Sequence, residues 1–123
     1  MLRGVRGATT VAKDDAAEIA SAVQELLLTM QTANGFQTED IGAVIFSSTP
    51  DLTAAFPAAG ARRLGEAWTT VPLFGTMEIE HVGAPVRCVR VLLLWNTEKS
   101  QREIAPVYLR GAAVLRPDIV KGD

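Results

Sequence analysis

Pro85-Val-Arg-Cys-Val-Arg-Val-Leu-Leu-Leu-Trp95 is apolar from Val86 to Trp95 except at Arg87 and Arg90, and it is rich in β-branched residues. Such a run predicts a strand covered on both faces. Alternation puts Cys88, Arg90, Leu92 and Leu94 on one side and Arg87, Val89, Val91, Leu93 and Trp95 on the other. Arg90 is therefore expected inside. A guanidinium does not lose its proton, so that placement is costly unless an anion lies opposite it.

Working outward, residues 2–11 contain β-formers with Gly4 and Gly7 among them, which predicts a second strand that something approaches closely. Arg6 shares a face there with Gly4 and Ala8, small neighbours that leave a long side chain room. Asp14 or Asp15 can cap a helix running to about Asn34, with Gly35 as its left-handed stop. Ile19, Val23, Leu26, Leu27, Met30 and Ala33 form its apolar stripe. Residues 41–48 read as a strand that ends in the turn-forming run Ser47-Ser-Thr-Pro-Asp51. Pro57 opens a short helix over 58–64, stopped by Gly65, with Arg62 on it. Val71-Pro-Leu-Phe74 reads as an edge strand, because Pro72 cannot donate to a ladder. A polar crossover over 97–103 and a short strand at Val107-Tyr-Leu109 follow, and 117–123 read as a mobile tail.

These elements predict a single α+β domain over 1–123, a mixed β-sheet with one long and one short helix. One long helix covers one sheet face only. Because the central strand is apolar on both, the second face is expected to be covered by other copies in a closed homo-oligomer.

Bulk properties narrow the function. A net charge of -2 gives no electrostatic case for nucleic acid or an anionic membrane surface. No apolar run is long enough for a span, and Met1-Leu-Arg-Gly4 lacks a signal peptide's apolar centre. With Cys88 as the one cysteine, the expectation is a cytoplasmic protein without internal disulfides. Nine of the twelve basic residues are Arg, a bias that suits bidentate recognition of carboxylate or phosphate.

With one His and a cysteine inside a strand, no Ser-His-Asp or Cys-His arrangement can be built, and no metal-ligand spacing exists. What remains is a set of arginines, a carboxylate in an apolar stretch (Glu78) and one tyrosine (Tyr108). That set offers anion receptors and a hydrogen-bond acceptor without an activated nucleophile. It can hold a dianionic organic acid in one conformation and stabilise charge that grows as bonds rearrange. On the bare residues two readings stay open: Arg90 paired with an acid of its own protein, or Arg90 facing a ligand.

The runs Arg3-Gly-Val-Arg-Gly-Ala-Thr-Thr-Val11, Ser48-Thr-Pro-Asp-Leu52, Phe56-Pro-Ala58, Val71-Pro72, Glu78, Cys88-Val-Arg-Val91, Val107-Tyr-Leu109 and Val114-Leu-Arg-Pro-Asp118 resemble the monofunctional chorismate mutases of the trimeric, α/β-barrel-like bacterial class. The resemblance spans residues 2 to about 118 in one order. It implies a pseudo-α/β-barrel homotrimer with sites between adjacent subunits, and the cofactor-free isomerisation of chorismate to prephenate. It further implies that Arg90 donates to the ether oxygen and a carboxylate, Glu78 accepts from the ring hydroxyl, and Arg6 holds a carboxylate. Tyr108 would form a pocket wall, with Phe56, Ala58, Arg62, Leu115 and Arg116 at the rim or lining. The stretch Phe74 to Glu78 would frame the substrate, and Leu73, Phe74, Gly75, Thr76 and Met77 join the substrate-binding residues. Two positions depart from the pattern: Gly75 stands where a cysteine is usual and Ala59 where a lysine occurs. A trimeric module that binds a small carboxylate without chemistry is the competing reading, but such a binder has no need of Glu78.

Overall fold

A computed structural model describes residues 1–115. The elements run β1 (Leu2–Thr10), α1 (Ala16–Asn34), β2 (Ile41–Ser48), α2 (Pro57–Arg62), β3 (Leu73–Met77), β4 (Cys88–Asn96) and β5 (Val107–Tyr108). Short 3-10 segments follow the elements at Thr38–Asp40, Glu66–Trp68, Gln101–Glu103 and Arg110–Leu115. The five strands make one mixed sheet in the order β3-β2-β4-β1-β5. β4 is antiparallel to both β1 and β2, and the outer pairs β2/β3 and β1/β5 are parallel. The most apolar strand thus takes the centre.

The caps of α1 are those its sequence predicts. Asp15 accepts from Glu18 N at 3.0 Å, and Gly35 turns left-handed at φ 81° while its N–H donates to Gln31 O. The stripe differs at its last position. Ala33 is exposed and Asn34 is buried instead. A buried amide is tolerable because it is satisfied: it donates to Met30 O and Ala105 O, both at 2.9 Å, and accepts from Ala105 N at 2.8 Å.

α1 and α2 both lie on one face of the sheet, over Val5, Val44, Phe46, Val89, Val91 and Leu93. Trp95 completes an aromatic edge with Phe36 and Trp68, with ring centroids 5.9 and 6.4 Å from Phe36. The helices approach each other closely at Gly60, where an added Cβ would stand 2.8 Å from Ala20 O.

Three elements differ from the sequence reading by two or more residues at an end. The central strand is Cys88–Asn96, not 86–95, because Arg87 has φ 46° and breaks the extended run. Its backbone N–H donates to Asp51 and its Nε to Val11 O, which hold that turn. The edge strand is Leu73–Met77, not 71–74: Pro72 contributes only its carbonyl, to Val44 N, and pairing with β2 continues through Gly75. The short helix closes at Arg62, two residues before 64. No helix among the described residues is long and apolar enough to cross a membrane.

Candidate active site

The face of the sheet that α1 leaves open carries the charged residues. In the β1/β4/β2 register, Arg90 stands opposite Ala8 on one side and Ser47 on the other, and these pair outward with Tyr108 and Thr76. One step along the strands, Arg6 stands opposite Leu92, which faces Ile45 and then Phe74. Arg90 therefore lies on the open face and not in the core: its side chain is 42% exposed. The helix takes the Val89, Val91, Leu93, Trp95 row, which consists of apolar side chains alone.

Arg6, Arg90, Tyr108 and Leu115 line one small cavity of about 160 Å³. Ala8 and Ser47, the residues that flank Arg90 across the sheet, are both small. The C-terminal side of the cavity is strapped on at Arg110, a left-handed residue at φ 53°. Its guanidinium pairs with Glu25 at 3.3 Å, and Gly111 N donates to Thr10 Oγ1 at 3.1 Å. Ala112 then packs on Ala8 and Cys88, which brings Leu115 to the opening. Burial pushes the Cys88 thiol pKa up, partly offset by Arg90. A thiol held protonated in this way is a packing group and not a nucleophile.

Glu78 follows β3 directly and is fixed twice by β2. Its N–H donates to Ser48 O at 2.9 Å, and Ser47 Oγ donates to its Oε2 at 2.8 Å. The same Oε2 lies 3.5 Å from Arg90 Nε, an ion pair whose geometry is not that of a hydrogen bond, and Nε has no other partner among the described residues. Arg90 thus has an acid of its own protein beside it and also faces a cavity. Arg6 and Arg90 both line that cavity, Glu78 pairs with Arg90 beside it, and Arg6 carries no ion pair among the described residues. The excess is positive, and it favours an anionic ligand.

Most of the other predicted residues gather toward the opposite side of the sheet, with Phe74 and Thr76 the exceptions. A cavity of about 810 Å³ lies between β3, α2 and the 49–56 loop, and Phe56, Ala58, Arg62, Leu73, Gly75, Thr76 and Met77 line it. Leu73 and Gly75 pair with Val44 and Phe46, which sets them on the helix side, whereas Phe74 and Thr76 share the open face with Ile45 and Ser47. No atom would come within 4 Å of a Cβ at Gly75, so the glycine leaves space. The loop is pinned by Asp14, which accepts from Thr53 N, Thr53 Oγ1 at 2.7 Å and Ala54 N at 2.9 Å. These bonds, the Thr53 hydroxyl first, hold the Asp14 carboxyl below the usual aspartate range.

One chain thus brings Arg6, Glu78, Arg90, Tyr108 and Leu115 together on one side and Phe56, Ala58 and Arg62 on the other. Arg116 lies outside the described residues. Two residues that position the site, Ser47 and Asp14, carry no motif of their own. Ser47 reads as part of a turn in sequence, and only the strand register reveals that it neighbours Arg90.

The chorismate mutase type I family model matches residues 2–119. The chain is 49% identical to the chorismate mutase AroH of Thermus thermophilus over 120 residues, 97% of each chain. It is 40% identical to that of Bacillus subtilis (strain 168), over 97% of this chain and 93% of the relative. A solved chorismate mutase from Clostridium thermocellum superposes with a TM-score of 0.86 at 43% identity, covering 90% of this chain and 97% of that one. With a whole-chain family match, two relatives of this similarity and the same fold, the chain belongs to the chorismate mutase type I family.

Proposed function

We infer that the protein is a chorismate mutase, an isomerase that converts chorismate to prephenate by an intramolecular Claisen rearrangement and so serves aromatic amino acid biosynthesis. The observation that carries the reading is the convergence of Arg6 and Arg90 on one cavity, beside a Glu78 that is already fixed in place.

In this reaction the ether C–O bond breaks as a C–C bond forms within one molecule, and no proton or electron leaves. The protein has to hold the compact conformer, in which the enolpyruvyl chain lies over the ring, and favour the polarised transition state. Arg6 takes one carboxylate of the dianion. Glu78 accepts from the ring hydroxyl. Arg90 meets the negative charge that collects on the ether oxygen as its bond lengthens, an interaction stronger in the transition state than in the ground state.

The site is completed by a neighbouring copy in a homotrimer. The arginine wall and the Phe56/Arg62 wall lie on opposite sides of one sheet, so a single chain cannot close both around one substrate. A second copy that sets its Phe56 wall on the arginine wall would also cover Phe74 and Leu92, which are 64% and 39% exposed in the single chain. It would shield Arg90 from water, and a desolvated charge acts more strongly on a developing oxyanion. A cytoplasmic location fits the one protonated cysteine and the metabolite substrate.

The test follows loss of the diene absorbance of chorismate with the purified protein alone, alongside a solution mass. Enzymatic decay from a species of three chains is expected. A trimer that binds chorismate and leaves the absorbance unchanged would make this a carboxylate-binding module.

A further inference from the structure

We propose that Ser47 is a positioning residue that keeps Glu78 available to substrate by holding it off Arg90, an inference that rests on the chorismate mutase reading. A carboxylate and a guanidinium this close normally close to about 2.7–2.9 Å with a shared hydrogen bond. Here Arg90 Nε and Glu78 Oε2 stand 3.5 Å apart, and Nε is left without a hydrogen bond among the described residues. The hydroxyl of Ser47 accounts for the gap. It donates to the same Oε2 at 2.8 Å from the position on β2 directly opposite Arg90. Glu78 is also fixed through its own N–H to Ser48 O. Glu78 is thus anchored to β2 through both its backbone and one carboxylate oxygen, and Oε1 is an open acceptor among the described residues.

Without that hydroxyl, Oε2 loses its donor, and the nearest replacement is Arg90. The carboxylate would swing into a full ion pair. That pair would neutralise the guanidinium that should meet the ether oxygen, and it would turn Glu78 away from the ring hydroxyl. Ser47 touches no reacting atom and acts only through these two side chains. A serine suits the task better than a longer donor, because it reaches Glu78 without filling the space over Arg90.

Wild-type protein, Ser47→Ala, Ser47→Thr, Glu78→Gln and the double variant Ser47→Ala/Glu78→Gln are compared by chorismate absorbance and thermal unfolding. Decay with the wild type establishes the reading on which the proposal rests; its absence removes that reading without reference to Ser47. Given wild-type activity, Ser47→Ala should lower kcat about tenfold, roughly what one well-placed hydrogen bond is worth, with unfolding little changed. Ser47→Thr should restore most of it. In the Glu78→Gln background the alanine substitution should cost nothing more, because its intermediary is gone. Wild-type kcat in Ser47→Ala, or an equal loss with and without Glu78, would overturn the proposal.

Discussion

Arg6 and Arg90 lie on a diagonal of two adjacent antiparallel strands, Arg6 opposite Leu92 and Arg90 opposite Ala8, and both line one cavity. Diagonal neighbours of this kind sit about 7–8 Å apart, somewhat less at their Cβ atoms, within reach of each other's long side chains. Two like charges so placed repel unless an anion lies between them. Glu78 offsets one of them, and one carboxylate of a dianionic substrate would offset the other.

Arg90 tests the electrostatic account most directly. Arg90→Lys keeps a charge but loses the planar fork, and turnover should fall on the order of 10²–10³-fold or more. The half-exposed side chain contributes little to the core, so thermal unfolding should move little. A near-normal kcat in Arg90→Lys, measured by chorismate absorbance, would remove the proposed role.

The proposed two-walled site predicts complementation. Arg90→Ala damages one wall and Arg62→Ala the other, so each protein alone should be weak. Refolded together in equal amounts, random assembly leaves about a quarter of the clefts with two intact walls. Activity well above that of either variant alone is expected, and a simple average of the two would exclude a site shared between chains.

Gly60 and Gly75 should respond in opposite ways to the same added methyl group. At Gly60 the new Cβ meets Ala20 O at 2.8 Å and Val23 Cβ at 3.0 Å, and helix backbone cannot move aside. Gly60→Ala should therefore cost about 1–3 kcal/mol of stability. At Gly75 nothing lies within 4 Å, so Gly75→Ala should be neutral or raise stability by up to about 1 kcal/mol through the unfolded chain. Chemical denaturation of both decides it.

Asp14 predicts an acid limb. Its folded pKa is depressed, so its contribution is fully present above the unfolded value, near 3.9, and is lost as pH falls through the lower folded value. Glu103 shifts in the same direction, because Ser100 donates to it. Unfolding temperature against pH should therefore drop below about pH 4 in the wild type, and Asp14→Asn should lose part of that drop. Because the Asp14 bonds pin the loop before Phe56, the variant should also show a raised KM at neutral pH.

Much of this arrangement was legible because it is local. The caps Asp15 and Gly35 and the apolar stripe between them define α1, and two-residue alternation assigns Arg90 and Leu92 to one face of β4. Which face the helix would cover was not legible, because a helix stripe and a strand row each state that a cover exists and not which one. Arg90 is expected inside because both faces of its strand need cover, and in the single chain it lies on the face that α1 leaves open. The sequence reading of β3 stops short of Met77 because Gly75 and Thr76 interrupt the apolar run, while Pro72 suggests a boundary too early. Of the site, the charged residues stood out by type. Ser47 did not, because its neighbours Ser48, Thr49 and Pro50 read as a turn, and its closeness to Glu78 depends on strand pairing across 31 positions. The division of the predicted pocket between two sides of the sheet likewise depends on register.

That division sets how damage spreads. In the proposed homotrimer, a subunit that offers one surface to each of its two neighbours takes part in two reaction centres at once. In a closed ring of three, one copy broken on both surfaces would silence two of the centres, so a cell that makes both sound and broken copies would lose more output than the proportion of broken chains.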